Sequence, residues 1–261
     1  MNSKETADLI LTQEQKDHFA SQGYLVIREF VSAQQCAAIN TIVEDSLHPP
    51  LAPLEFEADV RYPGAPVAKT ALGGFTPRRL LHAYTRETRF RQAAANEKLL
   101  AVLKQLMSAE HVALSQNHHN CVMTKYPGFG SETNWHQDVR YWSFDRPELV
   151  SMWLALGEEY SINGGLSLIP GSHLTDLDRG RLDANLFLRT DLPENLELID
   201  SAVSANLSCG DVLLFHCRTY HAAGQNRSTT VKKSLVYTYR DVSNQPIPDT
   251  RSATYEDIEL A

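Results

Sequence analysis

Long apolar runs are missing from this chain: no stretch of about 18 consecutive apolar residues occurs, so no membrane-spanning helix is expected. Cysteine is scarce too. The four present, Cys36, Cys121, Cys209 and Cys217, show no CxxC and no framework spacing, which argues against a disulfide scaffold and a structural zinc site. They read as reduced, mostly buried thiols. Positive charge is in the minority: 24 Lys and Arg against 32 Asp and Glu give a net charge of −8. That balance supplies no general electrostatic reason to bind nucleic acid or an anionic membrane. No low-complexity tract and no repeat of fixed period is visible. The N-terminal MNSKETADLILTQEQ is polar and lacks the apolar core of a secretory leader, so a cytoplasmic protein is expected.

What is present is ordinary for a packed globular protein, with 43% hydrophobic and 21% charged residues. At 261 residues the chain suits one domain over 1–261, with helical support over about 12–108 and a barrel core over about 111–242. Thr12 caps a helix that Gly23 ends, before the strand-like YLVIREF at 24–30. Ser32 caps a second helix whose Ala37, Ile39, Ile42 and Val43 form one apolar face. Residues 47–79 carry six prolines and read as a long irregular segment, either a binding loop or a plain surface loop. From Arg89 to Ser108, apolar residues recur at helical spacing. Beyond this point short β-rich runs take over: HVALSQ, NCVMTKY, LVSMWLAL, GLSLIP, DVLLFHC and SLVYTYRDV. Helices first and strands after imply a sheet core with helices packed outside it.

The chemistry concentrates in NWHQDVRYW at 134–142. His136 and Asp138 are separated by one residue, and on a strand that spacing puts both side chains on one face. With a second histidine, such a pair forms the facial triad that holds non-haem Fe(II) and leaves positions open. Alone the pair means little, because a strand end with polar residues facing water explains it equally simply. The further context is SINGGLSLIPGSH at 161–173, with turn chemistry at Asn163, Gly164 and Gly165, and CGDVLLFHCRTYHAAGQNRS at 209–228. His221 lies 83 residues beyond Asp138, so only the tertiary fold can bring them together.

These motifs, in this order, resemble the phytanoyl-CoA dioxygenase family of Fe(II)- and 2-oxoglutarate-dependent oxygenases. The likeness runs over roughly residues 15–242 and is strongest from residue 134 onward. His136 and Asp138 match the family's HxD, Asn163 through His173 its NG–PGSH segment, Gly210 through Phe215 its GD segment, and His221 its distal histidine. The resemblance implies a mainly β fold with flanking helices, a double-stranded β-helix of the jelly-roll, cupin-like kind. It implies Fe(II), 2-oxoglutarate and O2, with His136, Asp138 and His221 as metal ligands, and hydroxylation of a small molecule, such as a carboxylate or acyl thioester. Because Asp138 occupies the position that family halogenases leave open, hydroxylation or a related desaturation is favoured over halogenation. A zinc hydrolase on these ligands is disfavoured because no second carboxylate offers itself as general base.

Two departures from the family pattern stand out. Where the family has Gly-Ser after the distal histidine, this chain has Ala222-Ala223; where it has an arginine to pair with 2-oxoglutarate, this chain has Lys232. Lysine keeps the charge and loses the bidentate fork. Lys232 is the preferred anchor, with Arg240 and Arg227 as competitors. The departures also motivate an alternative, a noncatalytic metal-binding barrel or 2-oxoacid sensor. Arg140, Tyr141 and Trp142 follow the metal strand, and Arg140 shares the parity of His136 and Asp138. They suit a substrate with an anionic group and an apolar body, although Arg140 in a surface ion pair with Asp145 or Glu148 and Trp142 in the core are equal contenders. Of His118 and His119, one is expected to face the barrel. His173 is expected to bond a loop, and His216 to face away from His221 on the same strand.

Overall fold

A computed structural model describes residues 11–60 and 62–260; most of the polar N-terminal segment, residues 1–10, lies outside them. Two β-sheets face each other as a double-stranded β-helix. The larger has nine strands, running in the order Tyr24–Ile27, Val212–His216, Leu149–Ala155, Lys232–Asp241, Asn120–Lys125, Pro77–Leu81, Leu54–Phe56, with Val112–Leu114 and Ile258–Glu259 attached beside Lys232–Asp241. The smaller holds Thr133–His136, His221–Ala223, Leu166–Leu168 and Val203–Ser204 in that order. Every strand pair is antiparallel.

The strand Lys232–Asp241 shows how sequence parity sorts side chains between helices and barrel. Leu235, Tyr237 and Tyr239 point to the helical layer and join its core with Leu99, Val102 and Leu103. The hydroxyls of Tyr237 and Tyr239 donate to the carbonyls of Phe90 and Ala94, at 3.0 and 2.9 Å, so no buried polar group is left over there. The opposite parity faces the barrel. Val236 packs there with Trp153 and Leu213, and Lys232 and Ser234 are buried beside them. Each fully buried aliphatic side chain in such a core contributes about 1.5–3 kcal/mol.

The helices Gln13–Gln22 and Ala33–Leu47 both start with capping boxes, Thr12 with Gln15 and Ser32 with Gln35. Gly23 ends the first helix in the left-handed region at φ 79°, and a Cβ there would lie 2.5 Å from His173 Nδ1. Three expectations shift in the structure. The strand expected over 24–30 stops at Ile27. The helix expected from Arg89 to Ser108 divides into Thr88–Ala94 and Glu97–Met107, because Asn96 takes an extended conformation and caps the second with its side chain on Leu99 N. The proline-rich segment is irregular over most of its length, yet it supplies the short strand Leu54–Phe56 and the start of Pro77–Leu81.

Candidate metal centre and active site

His136 and His221 are direct register partners across the small sheet. That pairing brings together residues far apart in sequence, with ring centroids 4.3 Å apart. The strand ends at His136, and Asp138 opens a short 3-10 turn over Asp138–Tyr141. The two ligand types therefore do not sit on one continuous strand face as the period-two reading supposed; the turn folds the carboxylate back instead. Asp138 Oδ1 lies 3.9 Å from His136 Nε2 and 3.7 Å from His221 Nε2. Ligand atoms of the three residues all fall within 4.8 Å of one another, and this is the only such group of histidine, cysteine or carboxylate side chains among the described residues.

Neighbours fix the orientation of each ligand. His136 Nδ1 is bonded to Asn134 O at 2.8 Å and His221 Nδ1 to Thr219 O at 3.0 Å. Each Nδ1 then carries the proton and each Nε2 presents a lone pair to the shared space. Ser151 Oγ donates to Asp138 Oδ2 at 3.0 Å, leaving Oδ1 facing the histidines. Burial pushes the Asp138 carboxyl upward, but His119, His221 and His136 outweigh it and hold it below the usual carboxylate range. Burial, then the nearby His221, draws His136 down to about 3. A carboxylate and two neutral imidazoles converging from one side are a donor set that fits Fe(II).

The three side chains open onto a cavity lined by residues of both sheets. Its lining includes Arg78, Arg79, Lys125, Lys232 and Trp153, and Asp138 is its only acidic side chain. No carboxylate other than Asp138 lines the cavity, so no second carboxylate is available there as a hydrolase general base. Lys232 is buried there, as expected of a co-substrate anchor, but its Nζ pairs with Glu159 Oε2 at 3.0 Å and bonds Ser234 Oγ at 3.0 Å.

Arg240 shares the parity of Lys232 but sits eight residues further, roughly 27 Å along the strand. Its Nε pairs with Asp257 at 2.6 Å and it does not line the cavity. Arg227 is exposed and also lies outside the lining. Neither competitor reaches the place a 2-oxo acid would occupy. Trp142 is buried against His118, ring centroids 4.9 Å apart, and belongs to the core with Phe144 and Leu149. Tyr141 is partly exposed, its hydroxyl 3.2 Å from that of Tyr62.

Arg140 takes neither Asp145 nor Glu148 as partner. Its guanidinium stacks 3.6 Å from the ring centroid of Phe187, and that ring packs on His136 at 5.7 Å. Nε and Nη1 of Arg140 are buried without a partner, Nη2 donates to the Tyr141 hydroxyl, and the residue lies beside the cavity rather than in its lining.

The histidines divide as expected: His119 faces the cavity, Nδ1 3.7 Å from Asp138 Oδ2, while His118 bonds Ser252 Oγ at 2.9 Å. His173 Nε2 bonds the Ala20 carbonyl at 3.1 Å. His216 is also structural, but not for the reason of strand parity. It ends Val212–His216 in the large sheet, whereas His221 begins a strand of the small one, so the two never share a strand. Arg78, Arg79, Lys125, Glu159 and Phe187 were not visible as site residues in the sequence. Lys125 alone carried a usable signal, because it ends a β-rich run that pairs in register with the strand of Lys232.

Comparison with known proteins gives the family and the fold. The ectoine dioxygenase of Halomonas elongata is 26% identical over 258 residues, covering 92% of this chain and 73% of that one. A probable alpha-ketoglutarate-dependent hypophosphite dioxygenase of Stutzerimonas stutzeri is 24% identical, covering 90% of this chain and 80% of that one. Among solved structures, EctD from S. alaskensis with 2-oxoglutarate and 5-hydroxyectoine superposes with a TM-score of 0.76 at 23% identity, covering 94% and 81% of the two chains. The carbocyclase SnoK from nogalamycin biosynthesis reaches 0.71 at 18% identity, covering 96% and 97%. These two share the fold. The profile of the family described as phytanoyl-CoA dioxygenase (PhyH) matches residues 19–234, and the chain belongs to that family.

Proposed function

We propose that this Fe(II)- and 2-oxoglutarate-dependent dioxygenase hydroxylates a small molecule that carries an anionic group beside an apolar body, with Arg140 receiving the anion. Iron(II) held by His136, Asp138 and His221 would supply the redox chemistry that couples oxidative decarboxylation of 2-oxoglutarate to oxidation of a substrate C–H bond. The remaining tasks fall to the protein. The Asn134 and Thr219 carbonyls keep the two imidazoles in the ligand tautomer, and Ser151 aims the Asp138 carboxylate. Phe187 and Phe215 flank His136 and His221 with apolar rings, at 5.7 and 4.9 Å, which keeps bulk water off the ligands. With iron bound, the Asp138 carboxylate would stand at the position that the family's halogenases leave open for a halide, which favours hydroxylation over halogenation.

The observation that carries the substrate reading is Arg140. Its guanidinium is held flat on Phe187, one ring away from a metal ligand, with two buried N–H-bearing nitrogens unspent. A buried donor without a partner is costly, and a carboxylate, phosphonate or phosphate on the substrate would satisfy it. The test is a screen of small carboxylates, phosphonates, acyl-CoA esters and neutral analogues for substrate-stimulated succinate release. Stimulation confined to cationic or wholly neutral compounds would rule the anionic substrate out.

A further inference from the structure

Four cationic side chains line the cavity, and three of them already have carboxylate partners. Arg78 Nη1 lies 3.3 Å from Glu57, Arg79 Nη1 3.4 Å from Glu55, and Lys232 Nζ 3.0 Å from Glu159. Glu159 is fully committed to its place: Trp153 Nε1 donates to it at 3.0 Å and Ser234 Oγ at 2.6 Å. Lys232 and Glu159 are both buried, so the pair presents almost no net charge to a ligand. Lys125 is different. It is the register partner of Lys232 on the adjacent strand, it is equally buried, and among the described residues no carboxylate lies within ion-pair reach of it. Its Nζ donates only to the carbonyls of Ala223 and Gly224, at 3.3 and 2.5 Å.

Two local features keep Lys125 where it is. Gly164 sits at φ 76°, and a Cβ there would fall 2.4 Å from Lys125 Cδ, so the glycine of the Asn-Gly-Gly turn makes room for the lysine stem. Ala223 stands where the family pattern has a serine hydroxyl, and the Lys125 ammonium lies against that residue's carbonyl. Burial, then the charge of Lys232, lowers Lys125 to about 7, which marks a cation lacking a counterion.

With 2-oxoglutarate as the co-substrate, we propose that Lys125, rather than Lys232, supplies the positive charge that pairs with its metal-remote carboxylate. Lys232 and Glu159 then serve as a neutral polar clamp that holds Trp153 and the strand end. The chain has moved its co-substrate cation one strand over, and the Lys232 side chain at the family's arginine position is a structural partner of Glu159.

Calorimetric titration of the Mn(II)-loaded protein with 2-oxoglutarate and with 2-oxopentanoate, which ends in a methyl group instead of the second carboxylate, tests this without turnover. The wild-type protein should prefer 2-oxoglutarate by about 30-fold or more, as expected of a desolvated charge pair. Lys125→Met should remove most of that preference while Mn(II) affinity and the melting temperature hold, and the double variant Lys232→Met/Glu159→Gln should keep it. Glu159→Gln in the Lys125→Met background should restore affinity for 2-oxoglutarate, because it frees Lys232; misfolding cannot mimic such a gain. A Lys125→Met protein with wild-type preference, or loss of preference in Lys232→Met/Glu159→Gln, overturns the assignment. A wild-type protein that binds Mn(II) but neither oxo acid overturns the co-substrate reading beneath it.

Discussion

Ser151 donates a hydrogen bond of 3.0 Å to the oxygen of Asp138 that faces away from His136 and His221. Ser151 lies on an interior strand of the large sheet, Leu149–Ala155, while both histidines belong to the small sheet. The candidate metal centre is thus tied to both walls of the barrel, one through its imidazoles and the other through the carboxylate's hydrogen bond.

That tie gives a graded expectation. His136→Ala, Asp138→Ala and His221→Ala should each abolish iron-dependent 2-oxoglutarate turnover, because each removes one of three protein ligands. Ser151→Ala should only weaken metal affinity, by about 10–100-fold, as losses at the partners of metal ligands do. Equilibrium dialysis against Fe(II) under anaerobic conditions measures both classes. A ligand variant that keeps wild-type affinity would show the triad to be wrong at that position.

The buried pair Glu57 and Arg78 anchors the proline-rich segment to the barrel. Glu57 Oε2 also accepts from Ser131 N at 3.2 Å, and Arg78 donates to Ser131 Oγ at 2.6 Å. Glu57→Ala leaves the buried Arg78 guanidinium with Glu55, 3.4 Å from its Nε, as its remaining carboxylate, so we expect a loss of ~1–3 kcal/mol in urea unfolding. The double variant Glu57→Ala/Arg78→Met should recover a substantial part of it. Equal loss in single and double variants would mean the charge is not the cause.

Acid should destabilise the fold through His216. Burial, followed by repulsion from His173, lowers its pKa from 6.5 to about 4. The folded state therefore favours the neutral ring, and the unfolded state takes up the proton first as pH falls. Stability is fully present above pH 6.5 and declines from there toward pH 4, by ~3 kcal/mol from this residue. Unfolding free energies of the wild type and His216→Asn across that window should differ in slope, the wild type being steeper. Parallel slopes would assign the acid sensitivity elsewhere.

The order of motifs made the barrel and the ligand triad legible in the sequence, because Asn-Gly-Gly and Gly-Asp turns delimit strands and His221 falls at the right place after them. Co-substrate and substrate contacts were less legible for a physical reason. Lys232 looked like a free anchor because nothing in sequence says that Glu159, 73 residues before it, would fold onto its ammonium. Arg240 shared its parity, but parity says only which face a side chain takes, and distance along the strand removed it. Arg79 sits in a segment whose prolines argue against strands, yet it pairs with Met123 because Pro77 lies at the strand's first position, where no donor is needed.

The substrate prediction rests on the stack of Arg140, Phe187 and His136. Arg140→Ala removes a guanidinium held 3.6 Å from the Phe187 centroid, and Phe187 itself packs on His136. If the arginine binds the substrate's anion, its loss should raise KM for the best anionic substrate by about 10–100-fold and leave 2-oxoglutarate affinity unchanged, because Lys125, the cation proposed for the co-substrate, lies on a different element, the strand Asn120–Lys125. Arg140→Lys should recover little, since an ammonium keeps the charge but loses the flat stack on Phe187 and the paired donors. Phe187→Leu should act differently. It leaves the charge and removes the surface that orients it, so kcat should fall with KM as substrate settles off line from the metal. Steady-state kinetics on the three variants, read beside 2-oxoglutarate titrations, separate these effects. An Arg140→Ala enzyme with unaltered KM for an anionic substrate would leave the guanidinium as packing for Phe187 and nothing more.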